Sequence, residues 1–447
     1  MFKKLQNNKK FLKALIFLSL PIILQDLLAH SVNFMDIWMM GQLSDEAMVG
    51  VGLSKRLFFL YIMLTFGVNS GAAIFMGQYW GKGEIGGIHR VLGIAFVTNI
   101  IVAGIFACIA LFAPRWFMSI LTSDPAVIEQ GVQYLTIASL IYLLTAVSTT
   151  VLMALRSIRQ TKIPMFAGAC SLAIKLGVNY IFVFVLDMGV AGAAWGTVIA
   201  RTIEIAMQII LIRKYRLPIF TAIKHHFGFN LAYVKNFFKV TLPVIGNEFF
   251  WALGVFMYDV AYQFTGSFGQ GAFQISDNIQ HFFMITGISI GAASGVTIAN
   301  HLGAGERDKA IAASRKCVAV GVAVSGVMAL LLFFIGPAIV GTYDNVSEYV
   351  RSLASANISV ITIFMIPRTI NYFFIISILR QGGDTLFCLF LDTGSVWLIG
   401  IPMAFLGAYV LGLPIYLVLA MVYMEEVVKF FITWARVRRN RWANKLV

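Results

Sequence analysis

Long apolar runs alternate with short polar stretches along the whole chain. The runs lie at about residues 11–40, 52–80, 88–113, 130–155, 163–186, 191–212, 237–264, 273–301, 310–335, 350–378, 384–407 and 413–436. Each reaches the roughly 20 residues with which a helix crosses about 30 Å of hydrocarbon, and several leave room to tilt or bend. The pattern predicts twelve membrane-spanning helices.

Composition narrows the class. Of 447 residues, 59% are apolar and 12% charged, with a mean hydropathy of +0.84. Soluble domains carry about 25% charged residues, so this chain lacks the charge to cover a water-facing surface. A soluble enzyme, a disordered chain and a secreted disulfide scaffold are all excluded. The four cysteines (Cys108, Cys170, Cys317, Cys388) are dispersed without metal-ligand spacing. Intramembrane enzyme signatures such as H-E-x-x-H and G-x-S-x-G are absent, and Arg380-Gln-Gly-Gly-Asp384 only brushes the G-x-G-D of membrane aspartyl proteases. No enzyme is expected.

The formal net charge is +14. With both termini cytoplasmic, 26 of the 34 Lys and Arg fall on the inner side, among them Arg156 and Arg380. Four lie outside (Lys55, Arg56, Arg115, Arg351) and four within runs (Lys175, Arg201, Arg368, Lys429). Cytoplasmic connections carry the excess of Lys and Arg, so the +14 reads as orientation and requires no nucleic-acid partner. The first run follows a basic segment, but it carries acids and no small-residue cleavage site ends it. It reads as a retained span.

The chain also aligns with itself at a shift of about 222 residues. "LSLPIILQDLL" (18–28) meets "VTLPVIGNEFF" (240–250), superposing Pro21 on Pro243 and Asp26 on Glu248. "SGAAIFMGQYWGKGE" (70–84) meets "IGAASGVTIANHLGAGE" (290–306), and "LRSIRQTKIP" (155–164) resembles "LRQGGDT" (379–385). Six spans per copy return the chain to its starting side. This implies an all-α polytopic protein of two six-helix lobes, residues 1–220 and 221–447, related by a pseudo-twofold axis along the membrane normal. Such an architecture suits a secondary transporter. Gly67-x3-Gly71 and Gly287-x3-Gly291-x3-Gly295 mark close helix packing.

A charge at mid-bilayer costs roughly 2.5–3.5 kcal/mol on insertion scales, which makes embedded acids functional candidates. Asp26 and Asp36 stand ten residues apart on the first span, about 80° apart in azimuth and about 15 Å in height. Asp36 suits a cation- or proton-binding carboxylate or a solvated helix end. Asp26 and Glu248 suit either ion binding or a helix–helix hydrogen bond. Lys175 lies deep in its span and could pair with Asp36 or Asp26; Asp259 and Asp392 are further embedded acids, and Glu425-Glu426 with Lys429 form a set on the last span. Arg201 and Glu204 are spaced as an ion pair. Pro21 and Pro243 each remove a backbone hydrogen bond and are expected bending points. Trp251, Met257 and Tyr258 offer an adaptable aromatic and thioether lining.

The first-span segment "LPIILQDLLAHSVNFMDIWMMGQL", the turns "GQYWGKGE" and "ANHLGAGE", "LRSIRQTKIP" and "GVAGAAWGTVIARTIE" (189–204) together resemble the multidrug and toxic compound extrusion (MATE) family over nearly the whole chain. The resemblance implies an exporter of organic cations and drugs, driven by inward H+ or Na+ and needing no other cofactor. It further implies a monomer resident in the bacterial plasma (inner) membrane. The family places an Asp fifteen residues after the first-span Pro, which is Asp36 here. Its other acids do not transfer: Trp251 stands where a seventh-span Glu is expected, with Glu248 one turn earlier, and Thr369 stands at a tenth-span Asp. Lys175 and Asn179 are nearest to a fifth-span Asn and Asp. The chain thus matches neither the NorM-like nor the DinF-like branch. Coupling is expected at Asp36, Asp26 and Glu248, with Na+ possible near Asp36 or Glu248. Lys175, Asp259 and Asp392 are expected charge partners. Asn33, Asn179, Trp251, Tyr258 and Met257 are expected to line the substrate cleft. A lipid-linked saccharide flippase of the same superfamily is the alternative, and a channel or membrane receptor a more distant one.

Overall fold

The computed structural model describes residues 2–219, 227–228, 230–343 and 346–447, with the side chains of 2–8, 10, 32–34 and 37–38 outside that description. Among the described residues the chain is almost entirely helical. Seven helices precede the basic connection: α1 (Phe2–Gly41), α2 (Asp45–Lys82), α3 (Ile85–Phe112), α4 (Pro114–Leu121), α5 (Pro125–Ser157), α6 (Lys162–Tyr180) and α7 (Gly189–Lys214). Seven follow: α8 (Leu231–Tyr262), α9 (Gly266–Gly303), α10 (Arg307–Gly341), α11 (Glu348–Tyr372), α12 (Thr385–Ser395), α13 (Ile401–Phe405) and α14 (Ile415–Arg438). Wider π turns extend α6 (Ile181–Val185) and α11 (Phe373–Leu379); a third (Val396–Gly400) joins α12 to α13 and a fourth (Leu406–Val410) extends α13, so that Thr385–Val410 forms one span. Among the described residues, eleven helices are long and apolar enough to cross a membrane. The twelfth expected span is α14, which carries Glu425, Glu426 and Lys429 in its middle. The short α4 was not expected; it is too brief to register as a run, and its Trp116 and Ile120 are exposed.

Packing divides the chain into Leu24–Ile245 on the one hand and Met1–Ile23 with Gly246–Val447 on the other. This packing division falls inside α1 and α8, each of which runs on past its proline, and not in the basic connection around 220/221. Both cuts come two residues after a proline, Pro21 or Pro243, and they are 222 residues apart, the shift of the sequence repeat. Within the Leu24–Ile245 unit, the first part of α8 lies against α2. A Cβ on Gly67 would stand 2.7 Å from the Ile245 Cα, and one on Gly71 would collide with Thr241. Only glycine admits this approach. Within the other unit, Leu15, Leu18 and Ile22 of α1 bury against Ala293 of α9.

Each unit has its own core. In Leu24–Ile245, Tyr61 and Tyr142 meet edge-on at 5.1 Å, with Tyr61 Oη donating to the Tyr142 carbonyl at 2.8 Å. Asn99 joins α3 to α2 and α5 by donating to Asn69 Oδ1 and Thr150 Oγ1, each at 2.8 Å. In the other unit, Leu332, Ile358, Ile361, Met365 and Leu419 are fully or almost fully buried together.

The repeat is visible in helix ends as well as in spans. Gly83 and Gly305 adopt φ of 79° and 76°, and the next amide returns to the carbonyl five residues back: Glu84 to Tyr79 at 3.0 Å, Glu306 to His301 at 2.9 Å. The same closure recurs at the Leu-Arg segments, Gln160 to Leu155 at 2.8 Å and Asp384 to Leu379 at 3.0 Å. Gly383 takes the left-handed position in the second copy and Arg159, with φ of 64°, takes it in the first. These are Schellman-type caps.

Candidate functional site

In the Leu24–Ile245 unit, Asp36 of α1 is 8% exposed. It accepts from Lys175 Nζ of α6 at 2.7 Å, from Lys55 Nζ of α2 at 3.4 Å and from Asn179 Nδ2 at 3.4 Å. The 175/179 spacing sets the last two α6 groups on one helix face, aimed at the same carboxylate. The structure thus brings together Asp36, Lys175 and Asn179, and adds Lys55, which the sequence reading had placed in an outer loop. Lys55 lies inside α2, whose cap at Ser44 starts the helix ten residues earlier. Asn179 Oδ1 is buried with no hydrogen-bond partner. Nearby, Arg201 and Glu204 form their i,i+3 pair at 2.6 Å.

In the other unit a larger cluster gathers around Lys429 of α14. Its Nζ lies 2.8 Å from Asp392 Oδ1, 3.9 Å from Glu425 Oε1 and 3.8 Å from Glu426 Oε1. Tyr258 Oη of α8 donates to Glu425 Oε2 at 2.8 Å, and Asn247 Nδ2 to Asp392 Oδ2 at 3.0 Å. Asn371 Nδ2 donates to Glu426 Oε2 at 2.8 Å, and Arg368 Nε stands 4.0 Å from Glu426 Oε1. Among the described residues, three carboxylates therefore face two cations within 4 Å, leaving one negative charge uncompensated. Around Asp36 the balance is reversed, with one carboxylate facing two lysines.

Asp26 and Glu248 do not join either cluster. Arg156 Nη2 donates to Asp26 Oδ1 at 3.2 Å and to Gln25 Oε1 at 2.8 Å. Arg380 Nη1 donates to Glu248 Oε1 at 2.7 Å, and the arginine is 1% exposed. Both arginines had been counted as orientation charges; one is half-buried and the other fully buried in an ion pair. The signal was available, since the alignment that superposes Asp26 on Glu248 also superposes the two Leu-Arg segments. Asp259, Trp251 and Met257 sit half-buried on α8. The Asn33 side chain lies outside the described residues. Among the described residues, no three His, Cys, Asp or Glu converge to hold a metal ion.

Comparison with known proteins gives the wider setting. The family profile described as MatE matches residues 21–181 and 243–406, the two segments opening on Pro21 and Pro243. The chain is 22% identical over 436 residues to the Uncharacterized transporter YisQ of Bacillus subtilis, covering 97% of this chain and 95% of that one. It is 24% identical over 424 residues to the Probable multidrug resistance protein NorM of Photorhabdus laumondii, covering 90% and 89%. A MATE solved in complex with MaL6 superposes with a TM-score of 0.87 at 15% identity, covering 96% of this chain and 97% of that one. A MOP superfamily transporter from Pyrococcus furiosus, reported with a binding pocket of reverse polarity, superposes at 0.86 and 15% identity, covering 96% and 95%. Two profile matches in register with the internal repeat, and a shared helical fold over nearly the full length, lead to one conclusion: the chain belongs to the MatE family of membrane transporters.

Proposed function

We propose that this protein is a secondary active multidrug exporter, exchanging inward H+ for outward organic cations by alternating access. The observation that carries the reading is the unbalanced buried charge at Glu425, Glu426, Asp392, Lys429 and Arg368. An uncompensated carboxylate out of water takes up a proton or a small cation. Glu425 is the member of the cluster farthest from Lys429, and its other oxygen is held by the neutral Tyr258 hydroxyl. It is the acid we assign to proton exchange. Neutralising it changes the hold of that unit on a cationic cargo, so that proton and drug compete for the same negative charge.

Asp36 takes a different part. Lys175 stands at 2.7 Å, where a Na+ would sit, and the same holds for Arg380 at Glu248. These built-in cations support H+ over Na+ as the coupling ion, and we read Asp36 as a partner whose release frees two lysines. That positive surplus also favours a second reading, an anionic lipid-linked cargo. Proteoliposomes distinguish the cases. Ethidium uptake driven by an imposed pH gradient is expected in the wild type, and at least a tenfold loss in Glu425→Gln. Stimulation by a Na+ gradient alone would move the coupling ion, and stimulation by neither gradient would defeat the antiport reading. Translocation of a fluorescent anionic lipid without ethidium transport would favour the second cargo.

A further inference from the structure

Two ion pairs occupy the same place in the two copies of the repeat. Asp26 and Glu248 each follow an in-helix proline by five residues, Pro21 or Pro243. Each is the third residue of the stretch by which its helix joins a unit, counted from Leu24 or Gly246. Their arginines, Arg156 in the last turn of α5 and Arg380 directly after the π turn that extends α11, come from the equivalent Leu-Arg segments. Both segments end in the cap described above, which returns an amide to the carbonyl of the residue before the arginine, Leu155 or Leu379. The arginine backbone is fixed on either side of the pair. Even the unmet valence is shared, since Nε of both Arg156 and Arg380 is buried with no acceptor.

We infer that Asp26–Arg156 and Glu248–Arg380 are twin clasps that fasten the post-proline half of α1 and of α8 to the unit it has entered. A guanidinium does not deprotonate in a protein, and its fork matches a carboxylate. A pair with a permanent cation on one side is suited to fastening. Each clasp sits one turn beyond the proline, where the missing backbone hydrogen bond lets a helix bend. Bending there moves a helix half that stays attached, and Asp26 and Glu248 are positioning residues for transport rather than sites of ion coupling. This role rests on the export reading only for its transport readout.

The test compares Asp26→Asn, Glu248→Gln and the reciprocal exchanges Asp26→Arg/Arg156→Asp and Glu248→Arg/Arg380→Glu, with Arg380→Lys as the conservative variant. Purified variants are melted in detergent and reconstituted for ethidium uptake across a pH series. The single neutral variants are expected to melt lower and to lose most of their maximal rate, with the half-maximal pH unchanged. The exchanges and Arg380→Lys are expected to recover melting temperature and a substantial share of rate together. A shift of one pH unit or more in Asp26→Asn or Glu248→Gln would assign the acid to coupling and overturn the clasp. So would an exchange that restores melting but no transport. Where an exchange does not fold, the pH profile of the neutral variant decides. Should the wild type itself fail to move ethidium, the export reading fails, and melting of Arg380→Lys against Glu248→Gln still judges the clasp: equal destabilisation sinks it.

Discussion

A buried carboxylate between two lysines is held by attraction on both sides, and removing it leaves those lysines facing each other. Asp36→Asn strands Lys175, whose side chain is largely buried. Breaking a buried pair by removing one partner costs about 3–5 kcal/mol, because the remaining charge is uncompensated. A clear fall in melting temperature in detergent is expected for Asp36→Asn, with most of it recovered in Asp36→Asn/Lys175→Met. A single variant that melts like the wild type would show the pair to be solvated. Asp36 itself was legible as an acid embedded in the first run and through the family resemblance, which places an Asp fifteen residues after the first-span Pro, and Lys175 from its depth in a span. Lys55 was not, because hydropathy assigns a charge near the end of an apolar run to the connection beside it; the same assignment hid Arg156 and Arg380, although the repeat alignment carried their signal. Helices that extend well past their most apolar stretch draw those charges inward.

Helix halves depend on what their neighbours lack. Gly67→Ala places a methyl group 2.7 Å from the Ile245 backbone, which cannot rotate away as a side chain can. Overpacking of this kind costs typically 1–3 kcal/mol. Gly104, with nothing within 4 Å of its would-be Cβ, provides the contrast. Gly104→Ala is expected to be neutral or to gain up to about 1 kcal/mol of helix propensity. Melting curves of the two alanine variants test the approach of α8 to α2, and equal behaviour would refute it. The glycine pattern announced close packing, and the repeat announced which helices are equivalent. Neither showed that α1 and α8 each change unit midway, since a continuous apolar helix carries no local mark of which neighbour covers each half. The π turns after α6 and α11 were equally silent, being made of the same apolar residues as the helices they extend.

For the molecule as a whole, the distribution of Lys and Arg predicts both termini in the cytoplasm. In a cysteine-free background, Lys445→Cys should react with a membrane-impermeant maleimide in inverted vesicles, and Arg115→Cys in intact cells. Labelling with the sides exchanged would invert the topology. The division of α1 also has a consequence for synthesis. One unit, Leu24–Ile245, is a single stretch of chain, complete as soon as Ile245 has emerged. The other joins Met1–Ile23 to Gly246–Val447, so its first piece is made 222 residues before its second begins. At 5–20 residues per second, that interval lasts roughly 10–45 s. Throughout it Leu15, Leu18 and Ile22 have no Ala293 to bury against, so a helix half made before the whole of the other unit finds its place only after it.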